Sequence, residues 1–156
     1  MLNPGPATTS NSVKHAQVID ACHRTEEFTK IMDKVREDLI KIARVDEYYT
    51  CVLFCGSGTA AMDSVINSVV QDGKILIINN GDYGERFLKI AKIYSLDYVE
   101  LKFDIYKEIE IEKIEEELKK EKEIKYVAII HHETTTGILN PIKEVGEVCK
   151  KYDCVY

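Results

Sequence analysis

The sequence lacks the features that mark membrane and nucleic-acid-binding proteins. No apolar run approaches the ~20 residues that a membrane-spanning helix requires, and the first residues do not form a signal peptide. Basic residues are not in excess, because 21 Lys and Arg stand against 27 Asp and Glu and give a net charge of -6. A nucleic-acid surface needs clustered Lys and Arg. We therefore expect a soluble, cytoplasmic protein that binds neither a membrane nor nucleic acid.

Metal sites and disulfides are also not expected. The five cysteines lack the paired spacing of a zinc site, and we interpret them as reduced, buried thiols. His131 and His132 are adjacent, so on an extended segment their side chains would point to opposite faces. Such a pair is a poor metal ligand set, and we interpret both as hydrogen-bonded structural histidines.

Helical and strand-like patterns alternate along most of the chain. Residues 1–12 hold two of the three prolines and are predicted to form an N-terminal arm, and helical spacing follows at 13–22 and 26–44. Beyond these, the predicted strands are 50–54, 74–78, 97–102 and 125–130, and the predicted helices are 59–70, 83–94, 111–122 and 142–152. This order predicts an α/β fold with a mainly parallel sheet between two layers of helices. A further strand begins at Cys154, so we expect residues 13–156 to be part of a larger domain.

A glycine loop is the most informative segment. The apolar run of TCVLFCGSGTAAM, residues 50–62, passes through Gly56-Ser57-Gly58-Thr59 into an Ala-rich helical pattern. A strand, a tight turn and a helix start in this order direct unpaired N–H groups and the positive end of the helix dipole at one point. The loop therefore predicts a phosphate site.

Three kinds of phosphate ligand compete for this loop. A nucleotide triphosphatase loop would need a Lys at its end, but Thr59 and two alanines follow Gly58. The glycine spacing also matches a dinucleotide-binding fold. That fold has an acidic residue that binds the ribose at the end of its second strand, but this sequence has Asn79 and Asn80 at that position. Pyridoxal phosphate needs one N–H nest and one flat face, and Tyr83 offers a face on a glycine-flanked turn. The pyridoxal phosphate interpretation is favoured, and the dinucleotide one stays open.

A second polar cluster, HHETTTG at residues 131–137, follows the predicted strand 125–130. Ligands of open α/β sheets bind at the carboxyl ends of the strands. Since the glycine loop, Tyr83 and this cluster each follow a predicted strand, we expect all three at the same edge of one parallel sheet.

Five segments, taken in this order and spacing, resemble the class V aminotransferases of fold type I, which depend on pyridoxal 5′-phosphate. They are LNPGPATTS, HRTEEF, VLFCGSGTAAMDSVINSVV, INNGDYGERF and HHETTTGILNPIKEVGEVCKKY. The resemblance implies the partial large domain of a homodimeric transaminase whose partners are small-molecule substrates. Within this family, the sequence most resembles the members that transfer the amino group of 2-aminoethylphosphonate to pyruvate. An alanine:glyoxylate or serine:pyruvate type enzyme, and a non-catalytic remnant or phosphate-binding module, remain alternatives.

The resemblance also implies roles for individual residues. Ser57, Gly58 and Thr59 would hold the cofactor phosphate. Tyr83 would stack on the pyridine ring, and Thr134 would face its phenolic oxygen.

Other roles implied by the resemblance lie in the arm or outside this sequence. Gly5 would lie near the substrate. The family's Schiff-base lysine and the aspartate that holds the pyridine nitrogen match no residue here, so we expect no catalytic residue in this chain and no turnover by the chain alone.

Overall fold

The computed structural model describes residues 5–156, which divide into two compact units, one ending at Cys55 and one spanning Gly56–Tyr156. The first unit contains helices α1 (Asn11–Ala16) and α2 (Glu26–Ala43). Both helices begin at a hydroxyl cap, because the side chains of Ser10 and Thr25 each accept a hydrogen bond from a first-turn N–H. α2 confirms the prediction for 26–44.

Two predictions for the first unit are wrong. The helix predicted at 13–22 ends at Ala16, and Val18 and Ile19 beyond it are both 77% exposed, so no packing surface stabilises further turns. No strand forms at 50–54, and no part of residues 5–156 pairs with this segment in a sheet. A strand needs hydrogen-bonded neighbours, and apolar β-branched composition alone does not supply them.

The second unit is built on a parallel sheet. Its strands are β1 (Lys74–Asn79), β2 (Tyr98–Lys102) and β3 (Ile124–Ala128), in the order β2-β1-β3. On the outer edge of β3, Val155 pairs in parallel with Tyr126, and its N–H and carbonyl bond to the main chain of Lys125 and Val127 at 2.8 and 2.9 Å. The segment that was predicted to begin a strand at Cys154 therefore pairs with the outer edge of β3 at Val155.

Four helices cover the two faces of this sheet, which gives the predicted three layers. They are α3 (Gly58–Val69), α4 (Asp82–Ile93), α5 (Ile111–Lys120) and α6 (Ile142–Lys151). Alternate residues of β1 face opposite layers. Ile75 and Ile77 pack with residues of α3 and α4, whereas Leu76 and Ile78 pack with residues of α5 and α6. The α/β prediction is confirmed in this unit, with helix and strand bounds within a few residues of those expected.

A short antiparallel hairpin follows β3 and was not predicted. It consists of β4 (His132–Glu133) and β5 (Ile138–Leu139). Strands of two residues carry too little alternation to be recognised as a pattern in the sequence.

The cysteines are less uniformly buried than predicted. All five are free thiols, but Cys22 and Cys55 are exposed and only Cys149 is buried. Burial raises the pKa of the Cys149 thiol to about 12. No helix of residues 5–156 combines the length and the apolar character needed to cross a bilayer.

Candidate functional site

Two polar segments of the second unit lie at the carboxyl edge of the sheet. Tyr83 is in the first turn of α4, directly after β1, and Thr134 is in the β4–β5 hairpin, directly after β3. Since β1 and β3 are parallel neighbours, the two segments leave the sheet at the same edge. The prediction that Tyr83 and Thr134 share an edge is confirmed.

The Glu133 carboxylate joins these two segments. The side chain is fully buried, and its Oε2 accepts a hydrogen bond from the N–H of Tyr83 at 3.1 Å. Its Oε1 accepts from the hydroxyl of Thr135 at 2.6 Å and from the Thr135 N–H at 3.4 Å. At Gly81 a Cβ atom would lie 2.4 Å from Cδ of Glu133, so only glycine lets the carboxylate approach the turn this closely.

The hairpin itself is closed by main-chain bonds. The carbonyl of Glu133 accepts hydrogen bonds from the N–H groups of Thr136 and Gly137 at 3.2 and 2.8 Å. Gly137 has a φ of 78°, a left-handed conformation that glycine adopts without strain. This turn holds Thr134, half-buried, between Glu133 and Thr135.

A pair of buried amides fixes the base of the hairpin. Asn80 and Asn140 donate to each other's side-chain oxygen at 2.8 and 3.2 Å, and Asn140 also donates to the carbonyl of Ile130 at 2.7 Å. Asn79 is buried as well, and its amide donates to the carboxylate of Glu100 at 2.8 Å. Asn79 ends β1 and Asn80 follows it, and both side chains bond within the protein, which argues against a dinucleotide site.

The glycine loop forms the N-terminus of α3. Ser57 precedes the helix in an extended conformation without a side-chain capping bond, and its carbonyl accepts from Ala60 and Ala61. The N–H groups of Gly58 and Thr59 have no partner within the helix. A Cβ at Gly58 would meet nothing within 4 Å, so the space beside this residue is open. The expectation that the loop ends a paired strand is wrong, because 50–54 is not a strand.

Arg86 connects this loop to Tyr83. Its Nη1 donates a hydrogen bond to the hydroxyl of Thr59 at 2.6 Å, and its Cζ lies 4.6 Å from the centre of the Tyr83 ring, as in a cation–π contact. The side chain is half-buried, and no carboxylate of residues 5–156 forms an ion pair with it. The guanidinium therefore brings a positive charge to the glycine loop.

The structure thus connects most of the predicted site residues. One chain of contacts runs from Thr59 through Arg86 to Tyr83 and on to Glu133, beside Thr134. Ser57 and Gly58 adjoin Thr59 at the helix start. Gly5 belongs to the other compact unit, and its role at the substrate stays a prediction.

The donor set fits a phosphate monoester. Two N–H groups that have no partner among residues 5–156, the hydroxyls of Ser57 and Thr59 and the Arg86 guanidinium are groups of the kind that bind phosphate in proteins. The half-buried Tyr83 ring provides an aromatic surface near them. Within the described part of the chain, no group of three His, Cys, Asp or Glu side chains is arranged to hold a metal ion, and His131 and His132 are both exposed.

Two residues of this site were missed in the sequence. Glu133 is the one carboxylate in HHETTTG, and a charged residue in a polar segment is ordinarily solvent-exposed. Arg86 lies three residues after Tyr83, the spacing at which helical side chains meet, and that spacing could have revealed it.

Comparison with known proteins identifies the family. Residues 8–156 match the profile of the family described as Aminotransferase class-V. A curated relative, the 2-aminoethylphosphonate–pyruvate transaminase of Bacillus cytotoxicus, is 40% identical over 154 residues, which cover 97% of this chain and 42% of the relative. The chain thus spans less than half the length of the curated relatives it matches.

Solved structures agree on the fold. The pyridoxamine-pyruvate aminotransferase of Mesorhizobium loti matches 98% of this chain and 39% of its own with a TM-score of 0.89 at 24% identity. The alanine–glyoxylate aminotransferase of a Nostoc species matches 98% of this chain and 41% of its own with a TM-score of 0.87 at 28% identity. The fold is therefore part of the α/β domain of an aminotransferase.

Proposed function

We propose, from the premise that this chain belongs to the class-V aminotransferase family, that its site binds pyridoxal 5′-phosphate for a transaminase. The observation that supports this most strongly is the Arg86 guanidinium, which lies against both Thr59 and Tyr83. A cation between a phosphate-type loop and an aromatic ring fits a ligand with a phosphate at one end and a flat ring at the other.

Each part of the site has a proposed task toward this cofactor. Ser57, Gly58 and Thr59 hold the phosphate through N–H and hydroxyl groups. Tyr83 stacks on the pyridine ring, and the Thr134 hydroxyl bonds to the phenolic oxygen. When bound, pyridoxal phosphate supplies an electron sink for the substrate carbon that loses its proton. The residues of this chain bind and orient the cofactor.

The proposed reaction transfers the amino group of 2-aminoethylphosphonate to pyruvate and yields phosphonoacetaldehyde and alanine. The name of the relative at 40% identity supports this choice. An alanine:glyoxylate type reaction is the second candidate, and the Nostoc structure at 28% identity favours it. Assaying both donor and acceptor pairs distinguishes the two.

We also propose a homodimeric, cytoplasmic enzyme in which Gly5 lies near the substrate. The free state of all five cysteines supports a reducing compartment. Exposed apolar side chains in both compact units, among them Tyr48, Phe54 and Val65, support association.

The experiment for cofactor binding compares three ligands by isothermal titration calorimetry on this chain. Pyridoxal 5′-phosphate should bind more tightly than pyridoxal, and inorganic phosphate should compete with it. Thr59→Val removes the hydroxyl while keeping the shape of the side chain. This variant should bind pyridoxal 5′-phosphate about tenfold more weakly than the wild type. Ser68→Ala, which removes an exposed hydroxyl near the other end of α3, is the control and should bind like the wild type. Equal affinity for pyridoxal and its phosphate would contradict the proposal, as would no binding at all.

A further inference from the structure

Glu133 is the only charged side chain that is buried among residues 5–156. Its exposed fraction is 0%, and no Lys, Arg or His in the described part of the chain pairs with it. A buried carboxylate is costly unless hydrogen bonds replace the water it has lost. Neutral groups supply all of those bonds here, so the position of the carboxylate depends on where these groups lie.

These donors come from two separate segments of the chain. The N–H of Tyr83 bonds to Oε2, and the N–H and hydroxyl of Thr135 bond to Oε1. The two residues are 52 positions apart in sequence and lie on different elements, α4 and the β4–β5 hairpin. Besides the carboxylate, the two segments are joined by the pairing of β1 with β3, by the packing around Gly81 and by the amide pair at the hairpin base.

Both segments carry the proposed contacts to the cofactor ring. Tyr83 itself would stack on the ring, and Thr134 lies between Glu133 and Thr135 in sequence. The phosphate side is separate, since no hydrogen bond joins Glu133 to residues 57–59 and the connection runs only through Arg86 and Tyr83. A change at Glu133 should therefore affect the two ends of the ligand unequally.

We propose that Glu133 is a positioning residue for the ring of the cofactor: its carboxylate fixes the Tyr83 turn and the Thr134 hairpin relative to each other, while the glycine loop holds the phosphate independently. The inference rests on the proposed function, because it concerns the same site. It assigns Glu133 no contact with the ligand.

Two variants remove the carboxylate bonds in different ways. Glu133→Gln keeps the shape but replaces an acceptor with a donor, so it cannot accept from both Tyr83 and the Thr135 N–H. Thr135→Val removes only the 2.6 Å hydroxyl bond. Thr136→Val is the matched control, because the Thr136 hydroxyl donates to the main-chain carbonyl of Glu133 at 3.3 Å and accepts from the Ile138 N–H at 3.4 Å but does not bond to the Glu133 carboxylate.

The measurement is the affinity of each variant of this chain for pyridoxal 5′-phosphate and for inorganic phosphate, by NMR titration. Glu133→Gln should bind pyridoxal 5′-phosphate about tenfold more weakly, and Thr135→Val several-fold more weakly. Both should bind inorganic phosphate within about twofold of the wild type, as should Thr136→Val with both ligands. The N–H of Tyr83 should exchange with solvent faster in both variants while the N–H groups of β1 stay protected.

The outcomes separate the possible failures. Unchanged affinity for pyridoxal 5′-phosphate in Glu133→Gln would overturn the inference and leave the proposed function standing. Equal losses for both ligands, with loss of protection in β1, would show a purely structural role and also overturn it. If the wild-type chain binds neither ligand, the proposed function fails and the inference about the ring fails with it, whereas the exchange of the Tyr83 N–H still shows whether the carboxylate holds the turn.

Discussion

Arg86 donates a hydrogen bond to the Thr59 hydroxyl over 2.6 Å and so joins the second turn of α4 to the start of α3. The same guanidinium lies 4.6 Å from the centre of the Tyr83 ring. One side chain therefore connects the proposed phosphate end of the site to its proposed ring end. This relationship makes Arg86 the residue whose removal should affect the whole ligand.

Replacing Arg86 with Met should weaken pyridoxal 5′-phosphate binding by about tenfold, since the charge and its donors are lost while most of the aliphatic stem remains. The affinity of Arg86→Met for inorganic phosphate should fall by a similar factor, whereas Glu133→Gln should bind inorganic phosphate almost as the wild type does. Lys89→Met, an exposed cation on the same helix, is the matched control and should change neither affinity. Calorimetric titrations give the affinities of the wild type, Arg86→Met and Lys89→Met for both ligands. Equal losses of affinity in the two variants would refute a specific contact of Arg86 with the ligand.

Gly81→Ala should destabilise the second unit by roughly 1–3 kcal/mol, because the added methyl group would lie 2.4 Å from Cδ of buried Glu133. Gly58→Ala is the comparison, since its methyl group would enter open space in the first turn of a helix. It should leave the free energy of unfolding unchanged or slightly higher. Urea denaturation of both variants gives the two values, and a Gly81→Ala protein as stable as Gly58→Ala would show that the close approach is not real.

Much of the sheet and its helices could be predicted from local pattern. Strands such as Lys74–Asn79 contain short apolar runs, and amphipathic helices such as Ile111–Lys120 show a clear 3.6-residue period. The segment 50–54 has the same composition as a strand but no partner strand among residues 5–156. Pairing is a property of distant residues, which a local pattern does not contain.

The sequence predicted which segments form the candidate site: the glycine loop, Tyr83 and the hairpin with Thr134. It did not predict the side chains that connect these segments. Ser57, Gly58, Thr59, Tyr83 and Thr134 stand out because they break the apolar pattern after strands or runs that resemble strands. Glu133 and Arg86 were missed because charged residues usually face solvent, and only the fold shows that one is buried and the other stacked. The roles of the predicted residues toward a cofactor remain proposals.

Stability in acid should depend on Glu115, which joins α5 to α6. Hydrogen bonds from Lys151, Tyr152 and Lys119 lower the pKa of its carboxyl from 4.5 to about 2. A pKa that is lower in the folded state adds stability above pH 4.5, and this contribution is lost as the pH falls from 4.5 to about 2. The melting temperature of wild type should therefore exceed that of Glu115→Gln at neutral pH, and the difference should shrink across this range.

The control for this comparison is Glu116→Gln, an exposed residue in the middle of the same helix with no hydrogen bond or ion pair among the described residues. Its difference from wild type should stay near zero at every pH. A Glu115→Gln difference that is constant from pH 7 to pH 2 would contradict the assigned cause.

We expect self-association from the apolar surface of the second unit. A groove of about 370 Å³ lies between α3 and the outer edge of β3, lined by apolar side chains that include Val65 and Val155. Light scattering should show a mass that increases with concentration toward a dimer or larger species. Val65→Asp should reduce it and Asn67→Asp, an exposed polar position on the same helix, should not. A strictly monomeric wild type that unfolds cooperatively would contradict association.

The central claim is that one ligand, pyridoxal 5′-phosphate, contacts both the glycine loop and the β1 and β3 ends of the sheet. An NMR titration of the isotope-labelled chain with pyridoxal 5′-phosphate tests it most directly, because every amide reports separately. The account predicts saturable shifts at Gly58, Thr59, Tyr83 and Thr134 with one common dissociation constant, and little change in α5 and α6. Shifts confined to surface lysines, shifts that do not saturate, or different dissociation constants for the loop and the hairpin would contradict it.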